Sequence, residues 1–123
     1  MRKYLAAMLA ALVLVGAERL VAAPETITGE VISLTCYTND KTNVGRKGHT
    51  CALATIKWEG NPAGVLTSDG KVYQIAGGLA ANNNAKLWPL VGHTVTITGE
   101  VTQTPGFMPT IVAADAKDVS PPK

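Results

Sequence analysis

Aromatic residues are scarce in this chain: they make up 5% of its 123 residues, as two Trp, three Tyr and one Phe. That is too few for a stacking surface that follows a nucleic-acid strand. Charged residues reach only 16% against 46% hydrophobic, which excludes an intrinsically disordered chain. Cysteine is limited to two, so a disulfide-dense scaffold is also excluded. A second core would need roughly another hundred residues, so the length holds one domain. The motifs that announce common chemistries are missing. There is no C-x-x-C for thiol exchange, no C-x-x-C-H for haem, no G-x-S-x-G elbow, no glycine-rich phosphate loop and no H-E-x-x-H.

What is present begins with an address. Arg2 and Lys3 precede an apolar run from Tyr4 to Ala17. The run is shorter than the roughly 20 residues of a membrane span and suits the h-region of an export signal. Residues 1–23 are therefore expected to be a signal peptide, cut after Val21-Ala22-Ala23, with Val15-Gly16-Ala17 as the competing cut. Membrane contact is expected only through that segment, if it is retained. Losing Arg2, Lys3, Arg19 and Glu18 turns eleven basic and nine acidic residues into eight of each. The basic stripe that would neutralise phosphates is then absent, and nucleic acid is not an expected partner.

The remaining chain reads as strands. Thr26-Ile27-Thr28-Gly29-Glu30-Val31 recurs letter for letter as Thr96-Ile97-Thr98-Gly99-Glu100-Val101. Each copy alternates β-branched residues and carries Gly at the same phase, which predicts a strand that bends or admits another backbone closely. A shared structural demand explains the repeat, since six residues are too few to argue a duplicated domain. Gly64 to Thr67 and Lys71 to Ile75 flank Ser68-Asp69-Gly70, a hairpin signal in which Asp69 and Gly70 both tolerate positive φ. Leu79 to Leu90 predicts a short helix or turn-rich connector that plugs one barrel end. The Thr104-Pro105-Gly106 turn leads into a last strand over 110–113, and residues 120–123 read as a disordered tail. A domain over 24–119 with this order resembles a mainly β, five-stranded OB-like barrel with one or two short helices, Gly29 and Gly99 at its corners. An SH3-like barrel or small β-sandwich is the runner-up.

The residues able to carry chemistry fall in one insertion. Cys36, His49 and Cys51 are its soft or imidazole groups. In an exported protein, two cysteines most simply form a disulfide, and closing a loop of about 15 residues is worth roughly 3 kcal/mol in the chain-entropy model. The alternative is a copper or zinc site using Cys36, His49 and Cys51, although paired C-x₂-C spacing is missing. Geometry separates the two readings. On a strand His49 and Cys51 face the same way, whereas on a helix they sit about 200° apart. The sequence over 48–59 serves either. His93 reads as structural or exposed. Asp40 with Glu59, or Asp69 with Glu100, pair only on paper as acid and base, since Asp69 is explained by its turn. Trp58, Tyr73 and Trp88 are candidates for a ligand face, with packing as the plain reading of a Trp.

Cys36…His49-Thr50-Cys51…Gly60-Asn61-Pro62-Ala63-Gly64-Val65-Leu66…Asp69-Gly70-Lys71-Val72-Tyr73, followed by Gly92-His93-Thr94-Val95-Thr96-Ile97-Thr98-Gly99, resembles small exported bacterial proteins with an OB-like core and a Cys/His-containing insertion. Proteins of that pattern tend to carry a further Cys after the His. Thr55 stands at that place, and the resemblance therefore implies a bridge rather than a metal. The expected protein is a periplasmic or secreted, non-catalytic binding or accessory module with a Cys36–Cys51 disulfide and no cofactor. Its partner would be a periplasmic protein or a small ligand. The alternative is a copper- or zinc-binding or redox accessory protein.

Overall fold

The computed structural model describes residues 24–121. The expected signal peptide lies outside the described residues, as do Pro122 and Lys123 of the expected tail. Six strands are present: β1 (Pro24–Ser33), β2 (Ala63–Leu66), β3 (Val72–Ala76), β4 (Thr94–Thr102), β5 (Thr110–Val112) and β6 (Ala116–Ser120). Their order is β1-β2-β3-β5-β4-β6, and an additional β1–β4 pairing closes the first five into a barrel. All barrel pairings are antiparallel except β3 with β5. This is the OB-like barrel expected from the sequence, with β6 added outside it against β4.

Closure explains the repeated hexapeptide. The two copies pair with each other, Thr26 opposite Thr98, Ile27 opposite Ile97 and Thr28 opposite Thr96. The register relates them by a pseudo-two-fold axis through the Ile27–Ile97 pair. Both isoleucines are buried in the core, while the threonines join across the outer face, Oγ1 to Oγ1, at 2.9 and 3.0 Å. Each Gly marks the place where its strand takes on a further neighbour. Past Gly29, β1 pairs with β2 from Glu30 onward; past Gly99, β4 pairs with β5 from Glu100 onward. A Cβ at 29 would run into the carbonyl oxygen of Leu66, and one at 99 into that of Val112. These are the close approaches that the phase of each Gly predicts.

The β2–β3 hairpin is as expected, with one change. Leu66 pairs with Val72, Thr67 N–H donates to the Lys71 carbonyl at 2.9 Å, and Ser68-Asp69-Gly70 form the loop. Positive φ in that loop belongs to Gly70 alone, at 87°, and Asp69 does not share it. The loop has three residues with Gly at the left-handed position, so a second positive φ is not needed.

Two irregular segments fill the barrel. Between β1 and β2 lie α1 (Leu34–Asn39), α2 (Gly45–Leu53) and a wide π turn over Ala54–Trp58. Ser33 caps α1, its Oγ accepting from Cys36 N–H at 3.2 Å. Val44 offers α2 no side-chain cap, and the Glu30 carboxylate reaches across from β1 to accept from Gly45 N–H at 2.7 Å. A carboxylate at a helix N-terminus is favoured by the exposed N–H groups there. Ala52 and Ile56 of this segment enter the main core with Val31, Val65, Ile75, Val95 and Ile111. The 78–90 connector consists of short helical turns, as expected, and contributes Leu79 and Leu87, with Val91 just beyond it.

Asn82, Asn83 and Asn84 are all left-handed, with φ of 55°, 59° and 60°. Asn tolerates this region better than other non-glycine residues. The turn aims two amides at the end of the π turn. Asn83 Nδ2 donates to the Lys57 carbonyl at 2.8 Å, and Asn84 Nδ2 to those of Ile56 at 3.4 Å and Asn61 at 3.1 Å. Helix-end carbonyls otherwise lack partners, and Asn84 is buried, so these bonds tie connector to insertion.

Strand β6 was not expected. Ser120, assigned from sequence to the tail, pairs with Thr94. β6 is mostly exposed, so its residues lack the alternating apolar pattern that would mark a strand. Its anchor is His93, whose Nδ1 meets the Asp118 carboxylate at 3.0 and 3.1 Å. His93 is thus structural, and its carbonyl also accepts from Val31 N–H at 3.0 Å.

Candidate functional site

Cys36 and Cys51 form a disulfide, with their Cα atoms 6.2 Å apart, that holds α1 to α2. Cys36 is fully buried. Around it sits a small polar cluster: Thr55 Oγ1 donates to Ser33 Oγ at 2.6 Å and lies 3.6 Å from Cys36 Sγ. The same hydroxyl lies 3.0 Å from the Cys51 carbonyl and 3.2 Å from that of Ala52, so Thr55 is held by its own helix. Position 55, where similar proteins were expected to carry another thiol, therefore faces the sulfur of Cys36.

The Cys36, His49 and Cys51 ligand set is not assembled. Both sulfurs are spent in the bridge, and a metal ligand must be a thiolate. Residues 45–53 are helical, which resolves the ambiguity left by the sequence and turns His49 and Cys51 to faces about 200° apart. Among the described residues, no group of three or more His, Cys, Asp and Glu side chains is placed to hold a metal ion.

The two aspartates considered as members of acid–base pairs hold turns, and Glu100 is exposed on β4. Asp40 accepts from Thr42 N–H at 2.9 Å and from its hydroxyl at 2.7 Å, and these bonds, the backbone one foremost, lower its pKa. Asp69 accepts from the Thr67 hydroxyl and then from Lys71 N–H, which lowers its pKa likewise.

The three aromatic candidates divide. Trp58, at the end of the π turn, is 76% exposed. Lys57 Nζ stands 4.9 Å from the centroid of the Trp58 ring and 4.9 Å from that of Trp88, so the ammonium lies between two indoles thirty positions apart. Trp88 packs its inner side on the core and donates its Nε1–H to the Asn83 carbonyl at 2.9 Å. Asn83 thus joins both halves, through Trp88 on one side and the Lys57 carbonyl on the other. Tyr73 is different. It packs against the barrel core with Lys71 Nζ 4.9 Å from its ring, apart from the two indoles.

Sequence reasoning missed Lys57 and Asn83, whose roles exist only once the connector meets the insertion. It also passed over Phe107, 76% exposed, and Met108, 43% exposed, in the β4–β5 loop. A Phe directly after Pro-Gly was the available signal, because a large apolar side chain at a tight turn has little core to enter. Comparison of the chain with family models, with curated proteins and with solved structures returns no match.

Proposed function

We propose that this chain is an exported OB-like binding or accessory module, not itself a catalyst, that engages a periplasmic or secreted protein through the Trp58–Lys57–Trp88 surface. The observation that carries this reading is Trp58, 76% exposed on a segment that the disulfide and the Asn83 bonds hold in place. Tryptophan is enriched among the few residues that dominate protein interfaces, and covering a large apolar side chain is worth about 2 kcal/mol. A cation between two indoles keeps the patch polar enough to remain soluble when unoccupied. Export is supported by Arg2, Lys3 and the apolar run to Ala17, and by a bridge of the kind that persists in oxidising compartments.

The competing reading, a copper- or zinc-binding or redox accessory protein through Cys36, His49 and Cys51, needs both sulfurs reduced. One preparation tests both. The full precursor is expressed in a bacterium and the protein recovered from the periplasm for intact mass, thiol alkylation and a metal scan. The expected product begins after residue 23, is lighter than the dithiol by about two hydrogens, and takes no alkylation. Two alkylated thiols with stoichiometric metal would overturn the proposal. A photo-cross-linking residue at position 58 should then give a discrete protein adduct that the same residue at exposed Glu100 does not. Equal adducts from both positions would remove Trp58 from the argument.

A further inference from the structure

We infer that the outer face of β3, β5 and β4, beneath the Phe107 turn, is a binding site for an uncharged saccharide. This inference stands independently of the Trp58 surface.

In OB barrels the outer face of strands 2 and 3 is the usual place for ligands. In this chain the β2 half of that face is occupied. Val65 points into the core, so its neighbour Gly64 faces outward, and a Cβ there would meet the Leu34 side chain of α1. Leu34 is buried, so α1 covers the outside of β2. The face left open is displaced to the far side of β3. There Ile75, Ile111 and Val101 turn inward, and Gln74, Thr110 and Thr102 form a polar row across three adjacent strands, in register.

The β4–β5 loop overhangs this row. Phe107 N–H donates to the Thr104 carbonyl at 3.0 Å and Gly106 has φ of 85°, a tight turn with Pro105 and Gly106 at its centre. Gln74 N–H donates to the Pro109 carbonyl at 2.9 Å and fixes the far end of the loop on β3. A short, pinned loop thus presents Phe107 at 76% exposure rather than folding it away. Between loop and sheet lies an open groove of about 670 Å³, bordered by Gln74, Thr102, Thr104, Thr110, Phe107 and Met108.

The lining selects the ligand. It offers one amide, three hydroxyls, an aromatic ring and a thioether, and no ionised group, so phosphates, nucleotides and acidic peptides find no counter-charge. An extended peptide recognised through its backbone needs a free strand edge. β3 is paired on both sides by β2 and β5, and β5 on both sides by β3 and β4, so neither offers one. Recognition must come from side chains. A neutral sugar ring matches them, with an apolar C–H face for the Phe107 ring and hydroxyls around its rim for Gln74 and the threonines.

The test is an amide NMR titration of the purified protein with two uncharged tetrasaccharides, N-acetylchitotetraose and maltotetraose. Saturable shifts are expected at Gln74, Thr102, Phe107 and Thr110 with at least one sugar. Phe107→Ala should weaken that binding at least about tenfold while leaving the urea midpoint unchanged, because the side chain is mostly in solvent. Gln74→Ala should weaken it as well. The inference is overturned by any of three results: no saturation with either sugar up to about 10 mM, binding that Phe107→Ala leaves within about twofold, or shifts centred on Trp58 that Trp58→Ala removes.

Discussion

The two copies of Thr-Ile-Thr-Gly-Glu-Val do the same work at four positions and different work at the fifth. Threonines pair across the outer face, isoleucines meet in the core, and each Gly lets a neighbouring strand come close. The glutamates part company. Glu30 reaches the N-terminus of α2, whereas Glu100 is exposed on the barrel surface. The outer edges differ too: β6 pairs with residues 94–97 of the second copy's strand, but no described strand pairs with the matching edge of 24–27. A short sequence thus dictates its strand geometry, while its polar atoms are used by whatever the rest of the chain brings near.

The most severe way to break the comparison is at the shared position. Gly29→Val and Gly99→Val should each cost about 3 kcal/mol, since backbone carbonyls block the added atoms and no rotamer relieves the clash. Urea unfolding measures both. If only one variant is destabilised, the two corners are not equivalent. Reduction of the Cys36–Cys51 bridge should come next, at about 3 kcal/mol at most in the chain-entropy model. Hydrogen exchange after reduction should rise in α1 and α2, beside the first copy, and stay unchanged in β4 and β5. The glutamates sharpen the contrast more gently. Glu30→Ala should lose about 1 kcal/mol with its helix cap, and Glu100→Ala should stay within about 0.5 kcal/mol of the parent.

The smallest effect concerns pH. Asp40 lies in the insertion after the first copy and Asp69 in the hairpin that β1 joins, and both carboxyls are held below their ordinary value of 3.8. A depressed folded pKa gives stability that is complete above the unfolded value and disappears as pH falls through the folded one. The urea midpoint should therefore fall on acidification below 3.8. Asp69→Asn and Asp40→Asn should each flatten that fall in part.

Much of the barrel was legible because its signals are local. A β-branched alternation, a Gly at fixed phase and Ser68-Asp69-Gly70 between apolar runs each specify backbone over a few residues. The bridge was legible because only two cysteines exist to make one. The helix over 45–53 was not, since Ala52 and Ile56 suit either period until the core takes both. β6 was hidden because an exposed outer strand carries no apolar alternation, and its place is set by pairing with β4. The aromatic cluster was half legible: Trp58 and Trp88 stood out as residue types, but Lys57 between them and Asn83 beneath them did not.

By itself the sequence determined which stretches would be the five barrel strands, where two of them must admit a neighbour, and which sulfurs could join. Those outcomes follow from sterics and covalent chemistry acting over short distances along the chain. Only the tertiary structure decided that the repeated strands would close on each other, that α1 would cover β2 and leave the Phe107 face open, and that an ammonium would stand between two distant indoles. Each of these depends on surfaces that exist only after the barrel has closed, and no local pattern of residues encodes them.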